Sequence, residues 1–437
     1  MESIARSVDT FLTRTRMNHR GVDRRKFCAD FLREMERGLS GEPSSLGMIP
    51  TYIETEGALP AGRKVIALDA GGTNLRVALV SFDAAGSPVI ENLTRHRMPG
   101  SDGEIDRHEF FKQLAGFVAP LAEKADRIGF CFSYPAEMSP DKDGRLVFFS
   151  KEVKARGVEG QLIGANLAEA MGGGGARRPE RVILLNDTVA TLLAGRNSMP
   201  GRRFDGYIGF VCGTGLNAAY VEANANIGKK PELDPSGSQI INTELGGFDR
   251  GPSGDVDDEF NAATENPGRY KNEKMISGAY LGGLCLAAVR RACRGGVLSG
   301  DTAEALKGLD PFSTRDLGDF LLHPAGDNPA AAAGARLPER EAQGVYLIMD
   351  SIVERAALLV ALSLCAVLLK TGGGSDPRFP VCITVDGTTF WQLKDFRTRV
   401  ECHMRSFLAG DKERAYQIAA AGDAPLVGAA IAALTNS

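Results

Sequence analysis

The chain has 437 residues, 43% of them hydrophobic, and a net charge of −4. That length favours two domains over one, and the weak negative balance gives no reason to expect nucleic acid or an anionic membrane as partner. Eight cysteines without a CxxC pair and five histidines without an HExxH pattern argue against a zinc ribbon or a zincin, and fit reduced thiols in a cytoplasmic protein.

Residues 1–16 carry Glu2, Arg6, Asp9, Arg14 and Arg16 and lack the apolar stretch of a signal peptide. Residues 3–40 read as helical. Phe27, Phe31 and Met35 fall four apart with Leu32 and Leu39 beside them, and Gly41 and Pro43 end the run. Residues 43–62, with Pro43, Pro50 and Pro60, read as loop. Residues 65–68 and 75–80 then form two β-rich runs around Asp69-Ala70-Gly71-Gly72-Thr73-Asn74. The glycines let backbone N–H groups line a nest for phosphate, and Asp69 ends the first strand where a carboxylate can hold a hydrated Mg²⁺. An ordinary hairpin would look the same at this point.

Asp106 to Glu109 resembles a capping box, followed by a helix marked by Phe110, Phe111, Leu114, Phe117, Val118 and Leu121. Residues 128–132 read as a strand running into Ser133-Tyr134-Pro135, residues 160–171 as a helix, and residues 182–185 as a buried strand. Asn186-Asp187-Thr188 comes next, at the start of another helix. Residues 207–221 repeat the opening device, with Gly213-Thr214-Gly215 between two strand runs. A dinucleotide site would need a helix after those glycines, and the returning run reads as a strand. A weaker third copy is residues 381–385 followed by Asp386-Gly387-Thr388-Thr389.

Residues 274–294 and 345–370 read as helices, residues 329–335 as an alanine-rich surface connection, and residues 425–434 as a last helix. The apolar run 356–369 is shorter than the roughly 20 residues of a membrane span. It is flanked by Asp350, Glu354, Arg355 and Lys370, so it reads as a buried core helix. Strands alternating with helices make the class α/β. No GxxxxGK[ST] is present. Two strand–glycine turn–strand devices plus an Asp-Gly-Thr turn instead point to two half-domains gripping one nucleotide.

Taken together, the motifs resemble the hexokinase family of the actin-like ATPase and sugar kinase superfamily, as a bacterial-type single-unit hexokinase. The likeness runs in order from about residue 25 to the C-terminus. Residues 68–76 look like the first phosphate motif, 129–135 like the sugar motif, 185–188 like the catalytic motif and 212–217 like the second phosphate motif. Residues 242–248 and 273–278 look like the remaining sugar contacts, and 385–388 like the adenosine motif. Three stretches depart from the family. Phe149-Ser150-Lys151 stands for Trp-Thr-Lys, Tyr270 for a sugar-contacting glutamine, and Gly422-Asp423-Ala424-Pro425-Leu426-Val427 for a Gly-Ser-Gly-Lys run.

The resemblance implies an α/β, two-lobed, ribonuclease H-like fold with sugar and ATP in the cleft. The small domain would be 64–187 plus 423–437, and the large one 1–63 plus 188–422. It implies ATP-dependent phosphorylation of a hexose, glucose first with mannose or fructose as alternatives, at the 6-hydroxyl, as the first step of glycolysis. Mg²⁺ would accompany ATP, and the protein would be a monomer or homodimer.

Asp187 would be the general base. Local rules alone favour a helix cap there. Lys151 would steady developing charge, although an exposed lysine is its default reading. Ser133, Ser150, Lys151, Asn186, Asp187, Asn217, Glu244 and Glu273 would hold the sugar hydroxyls. The default for both glutamates is a solvated carboxylate. Gly71, Gly72, Thr73, Asn74 and Arg76 would meet Gly213, Thr214 and Gly215 across the phosphates, with Asp69 on Mg²⁺ through water. Asp386, Gly387 and Thr388 would border the adenosine. The default for Arg76 is a salt bridge. Two other readings are a sugar sensor without catalysis and an ATPase clamp sharing only the nucleotide fold.

Overall fold

The computed structural model describes residues 3–149, 153–199 and 201–436. The strands used here are β1 (Ile49–Pro50), β2 (Val65–Gly71), β3 (Asn74–Phe82), β4 (Pro88–Arg97), β5 (Arg127–Phe132) and β6 (Arg181–Leu185). They continue with β7 (Gly206–Cys212), β8 (Leu216–Ala223), β9 (Ser238–Asn242), β10 (Val381–Asp386) and β11 (Tyr416–Ala420). One sheet has the order β6-β5-β2-β3-β4 and the other β1-β9-β8-β7-β10-β11. In the first, β2, β3 and β4 form an antiparallel meander and β5 and β6 add in parallel beside β2. In the second, β7, β8 and β9 form the meander and β10 and β11 add in parallel beside β7. The same five-strand topology is therefore built twice.

The helices that matter are α1 (Ile4–Arg14), α2 (Arg24–Ser40), α3 (Arg107–Val118), α4 (Ile163–Gly173) and α5 (Asp187–Arg196). After them come α6 (Leu281–Arg294), α7 (Glu339–Thr371), α8 (Thr388–Gln392), α9 (Phe396–Leu408) and α10 (Ala424–Thr435). Helices α3 and α4 cover the outer face of the first sheet, burying Phe110, Leu114 and Leu167 against Leu68 and Phe130. Helices α1, α2, α6, α7 and α9 share a core with Ile208, Phe210 and Ile383 of the second sheet. A third core lies between the sheets. In it α5 and α10 pack together, with Val65, Ala67 and Val80 on one side and Ala219 and Ile240 on the other. Here backbone touches backbone: a Cβ on Gly428 would lie 2.0 Å from the Ala190 carbonyl oxygen. Removing so much apolar surface from water is the main stabilising term.

Several expectations change. Residues 3–40 are two helices, because Arg16 turns left-handed (φ 59°) and Asn18 and Asp23 each cap a new start. Asp106 caps α3, but the Glu109 carboxylate accepts from Gln113 and Lys112 rather than closing a capping box. β10 is followed by a helix and not by a returning strand. Residues 329–335 are no mere connection. Pro329–Gly334 is a short helix with Asn328 as cap and Ala330, Ala331 and Ala333 buried. Helix α7 extends beyond the apolar run. It is long and apolar enough to cross a membrane by length and composition, but 89% of its most apolar window is buried inside the protein.

Candidate active site

The β2–β3 turn is held open by contacts from its own sheet. Gly72 sits at φ 65°, and its carbonyl accepts from the Tyr134 hydroxyl. The Thr73 carbonyl accepts from Met98 N–H at 2.9 Å, and Ser133 N–H donates to the Ala70 carbonyl at 3.0 Å. No neighbour lies within 4 Å of a Cβ built on Gly71, so the turn faces open space. The β7–β8 turn is fixed from the opposite side. The Gly213 carbonyl accepts from Gly278 N–H at 2.7 Å and from the Thr389 hydroxyl at 3.0 Å, and the Thr214 carbonyl accepts from Ala279 N–H at 3.1 Å. Gly387, at φ 117°, lies so close that a Cβ would meet the Cys212 oxygen at 2.3 Å. Only glycine fits there, and it brings Asp386 and Thr388 beside Gly213.

Asp69 and Arg76 face each other across the β2–β3 register. Asp69 Oδ2 accepts from Arg76 Nε at 2.8 Å, with Nη2 ion-paired to the same oxygen at 2.8 Å, and Arg76 Nη1 donates to Asp423 Oδ1 at 2.7 Å. The default reading of Arg76 is thus what is found: its guanidinium is held by two carboxylates. Burial pushes the Asp69 carboxyl above its ordinary range, with Asp386 adding and Arg76 opposing. Burial works against the charge of Arg76, but Asp69 and Asp423 keep its pKa raised. The oxygen donors of Asp69 and Asp386 suit Mg²⁺. Among the described residues no three His, Cys, Asp or Glu side chains converge to hold an ion unaided. The donor set therefore fits an ion that arrives on a phosphate.

Strand β6 delivers Asn186 and Asp187 to the start of α5. Asn186 is the cap, its Oδ1 accepting from Thr188 N–H at 2.8 Å. Asp187 is left in the first helical turn, where the helix dipole favours negative charge. Its Oδ1 accepts from the Thr188 hydroxyl at 3.2 Å. From the other sheet, Glu244 projects out of a left-handed backbone (φ 54°), an uncommon conformation for a residue with a side chain. Its Oε1 accepts from Asn242 Nδ2 at 2.8 Å and Asn217 Nδ2 at 3.0 Å. Asn217 Nδ2 also donates to Asn242 Oδ1 at 2.8 Å, and Asn217 Oδ1 accepts from Ala218 N–H. Both amide hydrogens of Asn217 are thereby engaged, and the residue orients Glu244. Glu273 Oε2 accepts from Leu216 N–H at 3.0 Å.

Burial raises the carboxyl of Glu244, and the negative charge of Asp187 raises it further against the pull of the two amides. Burial raises Glu273 too, with Glu244 adding. Neither glutamate is the solvated side chain of the default reading. Asp187, Glu244 and Glu273, from three separate elements, thus form one electrostatically linked group. Ser133 lies at the end of β5 beside the buried Cys131 thiol. Burial pushes that thiol well above its ordinary value, and Asp69 and Asp187 add to the shift. Ser150 and Lys151 lie outside the described residues. Asn242, Cys131 and Asp423 were not named as site residues from the sequence, although Asp423 stands in the departing segment 422–427. Asn242 had a signal, a polar amide closing a buried strand two residues before Glu244.

Duplicated sheets, each offering a glycine turn to a shared cleft lined with carboxylates, define a sugar kinase of the actin-like ATPase fold. Residues 7–197 and 207–435 match two family models, both described as hexokinase. Hexokinase-5 of Oryza sativa subsp. japonica is 31% identical over 92% of this chain and 84% of its own length. Hexokinase-3 of Mus musculus is 32% identical over 85% of this chain, which spans 41% of that relative. A solved hexokinase from Schistosoma mansoni complexed with glucose superposes with a TM-score of 0.77. It is 25% identical and covers 99% of this chain and 100% of its own. The chain belongs to the hexokinase family, and it phosphorylates a hexose with ATP.

Proposed function

We propose that the acceptor is the 6-hydroxyl of glucose and that Asp187 takes its proton. The observation that supports this most directly is the electrostatic linkage of Asp187, Glu244 and Glu273, with Glu273 beside the second glycine turn. Glu244 and Glu273 accept from sugar hydroxyls, and Asn217 and Asn242 hold Glu244 in place to do so. A site built on such bonds rejects sugars that lack the matching hydroxyl. The neighbouring Ser133 adds a hydroxyl from the first sheet. The 6-oxygen attacks the γ-phosphorus as its proton passes to Asp187, the bond to the β-phosphate oxygen breaks, and ADP leaves. Most of the catalysis is positioning and charge stabilisation.

Mg²⁺, carried by the triphosphate and held through water by Asp69, would neutralise charge on the phosphates. The backbone N–H groups of Gly71, Gly72 and Thr73 meet those of Thr214 and Gly215 across that charge, while Gly213 N–H closes its own turn on the Gly215 carbonyl at 3.0 Å. Asp386, Gly387 and Thr388 border the nucleoside. The small domain comprises 64–187 and 423–437 and the large one 1–63 and 188–422. Closure on the sugar excludes water that would otherwise take the phosphoryl group. The hexose 6-phosphate formed opens glycolysis in the cytoplasm.

A coupled ADP-release assay with glucose, mannose, fructose and glucosamine tests the substrate, and phosphorus–carbon coupling in the product's NMR spectrum locates the new ester. Glucose should give the highest kcat/KM, with phosphate on carbon six. Phosphate on another carbon, or no preference for glucose, would overturn the assignment.

A further inference from the structure

Asp423 precedes α10 in a left-handed conformation (φ 50°). Aspartate is a preferred residue for capping a helix, yet this side chain makes no cap bond. It reaches across to the first hairpin and accepts from Arg76 Nη1 at 2.7 Å. Pro425, in the first turn of α10, also lacks the N–H that a helix start would otherwise present to an anion. The carboxylate thus stands at the phosphate side of the cleft, holding the one arginine of the β2–β3 hairpin.

The charges decide what this does. Among the described residues, Arg76 brings one positive charge to this corner, while Asp69, Asp386 and Asp423 bring three negative ones. A bare polyphosphate meets net repulsion there, and one with its charge reduced by a divalent ion meets much less. The two partners of Arg76 differ in depth. The Asp69 side chain is 14% exposed and that of Asp423 is 47% exposed. Asp423 is therefore the partner that a phosphate oxygen can replace.

We propose that Asp423 is a positioning residue that competes with nucleotide phosphate for Arg76, so that the site discriminates against nucleotide without a metal ion. This rests on the cleft being the ATP site. It names a specificity element within residues 422–427.

Calorimetric titration with ADP, once with excess Mg²⁺ and once with a chelator, tests it on the wild type, Asp423→Asn and Asp423→Ala. Both variants should bind metal-free ADP about two- to fivefold more tightly than the wild type, the range of a partly exposed charge pair. Mg-ADP should change less, so the ratio between the two forms narrows. A merely structural role would weaken both forms alike, and that result would overturn the proposal, as would an unchanged ratio in both variants. A wild-type protein that binds no Mg-ADP would overturn the nucleotide site itself, and this role with it.

Discussion

Single residues carry the chemistry, and their surroundings separate the candidates. Asn186 and Asp187 are adjacent and both suit a helix cap. The structure gives the cap to Asn186, which leaves Asp187 in the first turn beside Glu244. Sequence alone could not make that choice, because φ/ψ at the two positions decides it. Arg76 is the converse case: its ion pair was the default reading, but the identity of its second partner, 347 residues away, was not legible.

Glu244 offers a test in pH. Its folded pKa is raised, so its contribution to stability is complete below the ordinary carboxylate range near ~4.3. That contribution is lost as pH rises through the folded value. Glu244→Gln keeps an oxygen for both asparagine amides and removes the charge. The variant should melt about 1–3 °C above the wild type at pH 8. The gain should vanish toward pH 4, and hexose phosphorylation should fall. Thermal scans across that range would contradict the account if the difference grew on acidification.

Among the elements, the two glycine hairpins were the most legible, because apolar strand runs and Gly-Gly or Gly-Thr-Gly turns are local signals. The edge strands β1, β4 and β11 were not anticipated, nor was β9 inside the second sheet, and β1 falls within residues 43–62 that read as loop. β4 is largely exposed along its length, so no apolar alternation marks it. The short helix Pro329–Gly334 was hidden because alanine signals neither face. The crossing of α5 and α10 was illegible too, since its cause is the missing side chain of Gly428 against the Ala190 backbone. Gly428→Val should cost about 1–3 kcal/mol through overpacking. The loss should show as a lower urea midpoint. Unchanged stability would mean that the two helices are free to move apart.

The whole molecule is two copies of one sheet joined through a shared helical core. Helix α10 packs on β2, β5 and β6, whereas α5 packs on β7, β8 and β10. Asp187 stands at the end of α5 nearest the first sheet's strand β6, so it belongs to the junction. A boundary between residues 187 and 188 therefore falls just inside α5, after its first residue. If hexose draws the sheets together, small-angle scattering should record a smaller radius of gyration with glucose. Glu244→Ala should show no such change. A wild-type profile indifferent to saturating hexose would argue for a cleft already closed.

The most direct measurement is steady-state and single-turnover phosphorylation of glucose by Asp187→Asn with saturating Mg-ATP. The substitution keeps the size of the side chain and removes the proton acceptor. Turnover should fall on the order of 10²–10⁴-fold, the usual worth of a general base, while glucose and nucleotide still bind. Turnover at the wild-type rate in a folded variant would show that the proton leaves by another route.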